Sequence, residues 1–232
     1  SLHVNNNTFT GTLPSEYSTI RLNSLHVNNN KITGTLPPEY SEMKWMNSLH
    51  VNNNKITGTL PPEFSTMVNL YSLHVNNNKI TGTLPPEYSE MEWMYSLHVN
   101  NNTFTGTLPS EYSTIRLNSL HVNNNKITGT LPPEYSELVS LYSFDFGNNP
   151  MSGTIPAEYS TLVSIQYTLD GYRGAPPEQT AALLAFKNSL TAGQDALASW
   201  TGTPCTIGAF LGIFCSNSIA GVTKMCVNPF PP

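Results

Sequence analysis

Charged side chains are scarce in this sequence. Asp, Glu, Lys and Arg make up 11% of its 232 residues, with ten Lys+Arg against fifteen Asp+Glu and a formal net charge of -5. That balance argues against a nucleic-acid binder, which needs clustered cations to replace phosphate counterions. No apolar run approaches the roughly twenty residues that span a bilayer, so the sequence predicts no transmembrane segment. The three cysteines are too few for a disulfide scaffold, and their odd number leaves one over.

Sequence motifs for catalysis are also missing. The chain has no phosphate-binding G-x-x-x-x-G-K-[ST], no G-x-S-x-G and no H-E-x-x-H. All six histidines have the same neighbours, whereas catalysis needs neighbours that push pKa values apart. We therefore expect no enzyme activity, no catalytic residues, no cofactor and no metal site.

An internal repeat dominates what is present. The phrase Ser-Leu-His-Val-Asn-Asn-Asn occurs six times at intervals of 23 or 24 residues, beginning at Ser1, Ser24, Ser48, Ser72, Ser96 and Ser119. A seventh copy at Ser143 has drifted, and an eighth near Tyr167 has lost most of the pattern. Residues 1–42 recur letter for letter as residues 96–137. An active site needs different residues in different places, whereas a stack of equal units tolerates such duplication.

One unit shows how such a stack is built. Leu73 and Val75 alternate with polar residues, as in a half-buried strand. The chain must then turn, and Asn suits that place because it tolerates unusual backbone angles and its amide bonds neighbouring backbone groups. Ile80, Gly82 and Leu84 are predicted to point inward in the next segment, where only a stacked neighbour can bury them. The turn asparagines are expected to form an interior ladder from unit to unit, at Asn7, Asn30, Asn54, Asn78, Asn102, Asn125 and Asn149.

This pattern resembles the leucine-rich repeat of the 24-residue type, L-x-x-L-x-L-x-x-N-x-L-x-G-x-I/L-P. That type occurs in plant receptor ectodomains and in kinetoplastid surface antigens. The resemblance covers residues 1–177, about seven units and a degenerate eighth. It implies an α/β solenoid, right-handed, with a parallel β-sheet on the concave face and short strand, polyproline or 3₁₀ segments on the other. It also implies an extracellular or cell-surface location.

Residues 178–232 differ from the repeats in composition. The run from Thr180 to Leu190 has the spacing of an amphipathic helix. Its A-L-L-x-F-K and the later L-x-S-W resemble the small helical disulfide cap that normally precedes such repeats, with Phe210 where that cap usually has Trp. The resemblance implies a disulfide between Cys205 and Cys215, and hence an oxidising compartment. Cys226 is the cysteine left over, either a buried thiol or an intermolecular crosslink.

The order of these two parts is reversed, because the cap-like module follows the solenoid. Three interpretations are open. The sequence is an excerpt from a longer chain of alternating caps and solenoids, or a permuted unit whose cap covers the open end of the next copy, or a chain lacking an N-terminal segment. The first two predict identical subunits that associate end to end, and head-to-tail contacts that do not close produce fibres.

The six histidines occupy one repeat position, where strand alternation points them outward on the concave sheet, roughly 4.8 Å apart from unit to unit. They are His3, His26, His50, His74, His98 and His121. The same face carries a row of candidate binding amides, Asn28, Asn52, Asn76 and Asn100. The histidines form a ligand surface, a pH-responsive stripe, or a copied column of rings that merely stack. A metal site is disfavoured because parallel side chains on adjacent strands do not converge on one tetrahedral centre.

Two further surface features accompany the repeat. Threonine pairs such as Thr81 and Thr83 form two outward columns that resemble the T-x-T faces of solenoid antifreeze proteins, although Thr is in any case favoured in strands. Asn6 and Asn101 begin N-x-[ST] sequences and are predicted to carry N-linked glycans in an exported protein. The threonine hydroxyls are candidates for O-linked sugars.

The sequence thus predicts an extracellular structural or adhesive glycoprotein that associates head to tail into a fibre or surface array. The alternative is a recognition ectodomain that binds a peptide or glycan on the concave sheet. Ice binding through the Thr columns is the third possibility. The uniform concave face favours the structural role, because a unique partner requires side-chain variety.

Overall fold

The computed structural model describes residues 1–162 and three short strands at 166–168, 214–216 and 225–227. The repeats form one eight-stranded parallel sheet in which every strand pairs with the next in the sequence. The strands β1 to β8 are Leu2–His3, Ser24–His26, Ser48–His50, Ser72–His74, Ser96–His98, Ser119–His121, Ser143–Asp145 and Gln166–Thr168. This stack of similar coils confirms the predicted leucine-rich repeat solenoid with a parallel sheet.

Each coil returns to the sheet through a short 3₁₀ helix. These helices span Ser15–Thr19, Pro38–Glu42, Pro62–Thr66, Pro86–Glu90, Ser110–Thr114, Pro133–Glu137 and Ala157–Thr161. A proline precedes every one of them in extended conformation, as at Pro85 with φ -68° and ψ 119°. The fixed φ of proline suits this entry to a helical turn.

The strands align in register. Coils of 23 and of 24 residues both occur, and the difference in length does not change the pairing of the strands. Ser72, Leu73 and His74 lie opposite the equivalent residues of β5, and the 23-residue coil that starts at Ser96 keeps the same register with β6. The missing residue is absorbed after the 3₁₀ helix. There Ile115 is extended at φ -98° and ψ 164°, whereas Met91 of a longer coil begins a further turn at φ -90° and ψ 71°.

The core consists of columns of equivalent apolar side chains. Leu73, Val75 and Ile80 are fully buried, as are Tyr88 and Met94. The buried tyrosine is satisfied across coils, because the Tyr88 hydroxyl donates to the Pro61 carbonyl at 3.0 Å and the Tyr112 hydroxyl to the Pro85 carbonyl at 3.0 Å. A buried hydroxyl without a partner costs free energy, so this hydrogen bond favours the observed position of each coil against the preceding one.

A second, narrower ladder joins the coils on the far side of the turn. The backbone N–H of Thr81 donates to the Gly58 carbonyl at 2.7 Å, and that of Lys79 donates to the Ile56 carbonyl at 2.8 Å. Gly82, with φ +82°, lies against the preceding coil so closely that a Cβ there would be 2.8 Å from Cγ2 of Thr59. Glycine is therefore required here for two reasons: its backbone adopts a left-handed φ, and the adjacent coil leaves no space for a Cβ.

Little of the predicted cap falls within the described residues. Its two described strands, β9 at Phe214–Ser216 and β10 at Met225–Val227, pair antiparallel with Cys226 opposite Cys215. The predicted helix and Cys205 lie outside the described residues. The division into residues 1–177 and 178–232 therefore stays a prediction, as does the Cys205–Cys215 disulfide.

We predict that Gly82→Ala destabilises the protein more than Gly11→Ala does. Both glycines have a left-handed φ, which costs an L-residue about 1–2 kcal/mol. Only Gly82 faces a neighbouring side chain, since nothing lies within 4 Å of a Cβ built at Gly11. The clash adds about 1–3 kcal/mol to the loss at Gly82, measured as the free energy of unfolding in urea.

Thr59→Ser removes the γ-methyl group in question and is expected to restore much of the stability of the Gly82→Ala variant. Equal losses in the two alanine variants would contradict the role of the close contact and leave only backbone strain.

Candidate functional site

The outward face of the sheet, formed by the Ser, the His and the first Asn of each Asn-Asn-Asn run, is called the sheet face below. Its histidines stack as one column, with neighbouring ring centroids 4.1–4.4 Å apart and interplanar angles of 3–7°. Each Nε2 is also hydrogen-bonded to the serine of the following coil, for example from His74 to Ser96 Oγ at 2.9 Å and from His98 to Ser119 Oγ at 2.8 Å. The column is therefore an internal ladder, as the stacking interpretation expects.

Burial keeps the inner histidines of the column neutral. Burial, and secondarily the neighbouring imidazoles, lower the pKa of His74 to about 3 and of His50 and His98 to about 4. His121, at the end of the column, borders Asp145 of the next strand. Among the described residues, no three His, Cys, Asp or Glu side chains come together as a metal would require.

A row of free amides runs beside the histidines. Asn28, Asn52, Asn76 and Asn100 are half-buried. No hydrogen bond joins their side chains to another described residue. Asn123 continues the row, and its Oδ1 is buried without a partner. These amides present both donors and acceptors to a molecule lying on the sheet face.

The turn asparagines have the opposite character, because every polar atom of their side chains is used inside the fold. Asn102 is buried, and its Nδ2 donates to the carbonyls of Val75 and Val99 at 3.0 Å each. Its Oδ1 accepts from the Ile80 N–H at 2.9 Å. The same pattern recurs along Asn30, Asn54, Asn78, Asn125 and Asn149, whereas Asn7 in the first coil is exposed and bonds only its own turn.

The two predicted glycosylation residues lie just before this ladder, at the left-handed position of the turn. Asn6 and Asn101 are both exposed and have φ of 57° and 56°. The Oδ1 of Asn6 accepts from Nδ2 of Asn29 at 2.7 Å, whereas the Thr103 hydroxyl donates to the Ile80 carbonyl at 3.0 Å.

The threonine columns are exposed but partly engaged. The hydroxyls of the first column donate to a glycine carbonyl of the preceding coil, as Thr81 does to Gly58 at 3.1 Å and Thr57 to Gly34 at 3.0 Å. The second column turns its γ-methyl groups toward the next glycine, as Thr59 does toward Gly82.

The sequence analysis missed an aromatic surface at the start of the strands. Trp45 and Trp93 are 58% and 55% exposed, and the rings of Tyr71 and Tyr95 stack at 4.8 Å. The signal was present, because each tryptophan stands between methionines in the runs Met43-Lys-Trp-Met46 and Met91-Glu-Trp-Met94. The methionines are buried, so the intervening tryptophan has to point outward.

Comparison with known proteins agrees with this architecture. The family model described as Leucine Rich Repeat matches residues 21–43, 46–67, 69–91 and 116–138. The model described as Leucine rich repeat N-terminal domain matches residues 176–216, which confirms the resemblance of that segment to a cap. The chain belongs to the leucine-rich repeat proteins. No curated protein matches this leucine-rich repeat chain significantly.

Solved leucine-rich repeat structures share its fold. A TDR receptor superposes with a TM-score of 0.70 at 29% identity, over 78% of this chain and 32% of the receptor. A leucine-rich repeat protein of Leptospira interrogans gives 0.61 and 28%, over 69% of this chain and 40% of the other. A plant ice-binding protein gives 0.68 and 24%, over 74% and 56%, a likeness that shows the fold alone. The chain thus spans about a third of that receptor. In the described part of the chain, no helix is long and apolar enough to cross a bilayer.

We predict that acid weakens this protein through the histidine column. The column lowers the pKa of His50, His74 and His98 below 6.5 in the folded state, so the unfolded chain binds more protons in the interval between. Stability contributed by the neutral stack is complete above about pH 6.5 and is lost progressively down to about pH 3, where His74 titrates in the folded state. Thermal unfolding midpoints measured across this interval should fall accordingly.

The triple variant His50→Gln, His74→Gln, His98→Gln is the control, because it removes the depressed imidazoles and keeps polar side chains. It is expected to lose less stability than the parent chain over the same pH interval. An equally steep decline in the variant would show that other groups cause the acid sensitivity.

We predict a large loss of stability for Asn102→Ala and a small one for Asn7→Ala. Removing the Asn102 amide leaves buried carbonyl and N–H groups of two coils without partners, at about 1–3 kcal/mol for each group. Water replaces the bonds of the exposed Asn7, so its removal costs less than about 1 kcal/mol. Urea unfolding of both variants measures the difference, and similar losses would contradict the structural role of the ladder.

Proposed function

We propose that this chain is an extracellular, non-catalytic recognition module that binds a ligand along the sheet face and its flank. The observation that carries the proposal is the row of free amides, Asn28, Asn52, Asn76 and Asn100, beside a histidine column whose Nε2 atoms are bonded to serines. The similarity to a receptor, at 29% identity over most of this chain, supports it.

The rest of the sheet face favours binding over chemistry. Each histidine Nε2 is already bonded to a serine. Burial, and secondarily the neighbouring imidazoles, lower the pKa of His50, His74 and His98, so these imidazoles are weak proton acceptors. The column instead holds the sheet face rigid, which reduces the entropy lost when a ligand binds.

Head-to-tail association is the second candidate. Phe9 in the first coil is 51% exposed, whereas the equivalent Phe104 is fully buried by the coil before it. Either an upstream coil or a second copy of the chain would cover this residue. Ice binding through the Thr columns stays a prediction supported by their exposure on successive coils.

Glycosylation belongs to the same extracellular proposal. The exposed side chain of Asn101 offers room for an N-linked glycan, and so does that of Asn6. The side chains that bond the turn backbone belong to the following residues, Asn7 and Asn102, so a glycan on Asn6 or Asn101 would not displace those bonds.

Recognition can be tested with the full chain immobilised and probed with defined arrays of synthetic peptides and of purified glycans. We expect saturable binding to members of one array. Binding is then measured for a triple variant Asn52→Ala, Asn76→Ala, Asn100→Ala and for a matched triple variant on the exposed 3₁₀ side, Glu63→Ala, Glu87→Ala, Glu111→Ala. The second variant should bind as the parent does.

Absence of saturable binding on both arrays would overturn the proposal. Concentration-dependent filaments under the same conditions would favour head-to-tail association instead, and filaments are visible by electron microscopy.

A further inference from the structure

A groove of about 340 Å³ lies beside the sheet, where the coils return to the strands. It is lined by Asn23, Trp45, Asn47, Asn69, Tyr71 and Trp93, which come from four successive coils. These positions differ from coil to coil, whereas the sheet face repeats the same residues. We call this surface the aromatic groove.

The two tryptophans lie in the groove with one coil between them. They occupy the same repeat position two coils apart, which places them roughly 10 Å apart along the stack. Asn69 occupies that position in the coil between them. Each ring carries a guanidinium over one face, that of Arg21 at 3.9 Å from the Trp45 ring and that of Arg116 at 5.2 Å from the Trp93 ring. The rings nevertheless stay 58% and 55% exposed, so indole surface is available to a ligand in the groove.

The polar groups of the groove are amides with unused bonding capacity. Nδ2 of Asn69 donates to the Lys44 carbonyl at 2.8 Å, which leaves its Oδ1 available. The side chains of Asn23 and Asn47 form no hydrogen bond within the described chain. The Tyr71 hydroxyl adds a further donor and acceptor at the edge of the ring stack with Tyr95.

Charge is almost absent from this surface. None of its six lining residues is ionised at neutral pH. The two adjacent guanidiniums lie over indole rings, and Nζ of Lys44 donates to the Ser41 carbonyl at 2.8 Å and to Thr66 Oγ1 at 2.9 Å, on the 3₁₀ side. A charged ligand would lose its hydration in this groove without gaining a counter-charge from any of the six lining residues.

We propose that the aromatic groove binds a neutral oligosaccharide chain. A pyranose ring has an apolar C–H face that lies flat on an indole, and hydroxyls at its rim that both donate to and accept from amides. Two aromatic rings separated by two coil spacings suit alternate sugars of an extended chain, with the amides between them. The sugar proposal rests on the proposed recognition function. It adds to that function the class of the ligand and a binding site beside the sheet.

A peptide and a second copy of this chain are the competing occupants. A peptide needs its backbone N–H and C=O groups paired in an ordered way, which isolated amides on a side-chain groove do not provide. A homodimer contact would be expected to bury a wider apolar patch than one groove of alternating amide and aromatic side chains. The mixture of flat rings and free amides favours a sugar.

The test uses the full chain and isothermal titration calorimetry with cellohexaose, mannohexaose and chitohexaose, and with a heparin hexasaccharide as the charged comparison. We expect at least one neutral hexasaccharide to bind and the heparin hexasaccharide not to bind. Trp45→Ala and Trp93→Ala should each weaken that binding tenfold or more, and Trp93→Phe should weaken it less because a flat ring remains.

Val139→Ala is the matched control, because Val139 is 85% exposed in the same returning segment but lies outside the groove. It should bind as the parent chain does. Circular dichroism and the unfolding midpoint verify that each variant is folded. Should a tryptophan variant not fold, the parent chain provides the second measurement, since two of its three tryptophans line the groove. A saturable change of tryptophan emission with the neutral sugar is then expected, and an unchanged emission would count against the groove.

Other outcomes overturn the groove while leaving recognition intact. Sugar binding that survives Trp45→Ala and Trp93→Ala but is lost in the Asn52, Asn76, Asn100 triple alanine variant would place the ligand on the sheet face. Binding only of array peptides, or a dimer in sedimentation velocity that both tryptophan variants abolish, would identify a different occupant. Binding to no probe of either array would instead overturn the proposed function.

Discussion

The amide of the turn asparagine is the interaction on which the rest of the structure depends. Asn102 donates to a carbonyl of its own coil and to one of the preceding coil, and accepts an N–H from that preceding coil. Hydrophobic burial alone would allow the coils to slide or rotate against each other, because it has no direction. Three directed bonds at a buried position remove that freedom. They fix the spacing and the register together, and every other column in the molecule follows from this.

That dependence explains how much was predictable from the amino-acid sequence. The strand around Leu73 and Val75, the turn at Asn78 and the inward Ile80 and Leu84 follow from polarity and repetition, which are visible in the letters. The hydrogen bond between His74 and Ser96 is not visible there, because it depends on side-chain rotamers across two coils.

The aromatic groove was not predicted, for another reason. Trp45 and Trp93 stand at positions where the repeats disagree, and an argument from repetition passes over such positions. Glycan occupancy at Asn6 and Asn101 depends on processing as well as on the fold, so it stays a prediction.

Positions that repeat and positions that vary have different roles in this molecule. The histidines stack on the histidines of neighbouring coils, and the interior asparagines bond backbone groups of the preceding coil, so a change at one place disturbs the contact between coils. Regular stacking therefore requires the same residue at each of these positions. The residues that precede each strand bear no such constraint, since their side chains point away from the ladders. Equivalent positions carry different residues in successive coils, Asn47 and then Tyr71, or Trp45 and then Asn69. The register of the strands is the same in each case. Variation can accumulate there at little cost to the fold, and recognition needs variation.

The low charge of the chain fits this division. A ligand-binding surface built from free amides and aromatic rings gains little from long-range attraction, and its specificity comes from short contacts that the ligand must match in shape. Such contacts are useful only when the groups that make them are already held in place. The stacked imidazoles and the asparagine ladder provide that rigidity from within, without ion pairs that salt would weaken. A stack of coils stiffened by neutral hydrogen bonds can thus present weakly polar side chains in fixed positions at different ionic strengths. Acid, which charges the imidazoles, is the condition to which it stays sensitive.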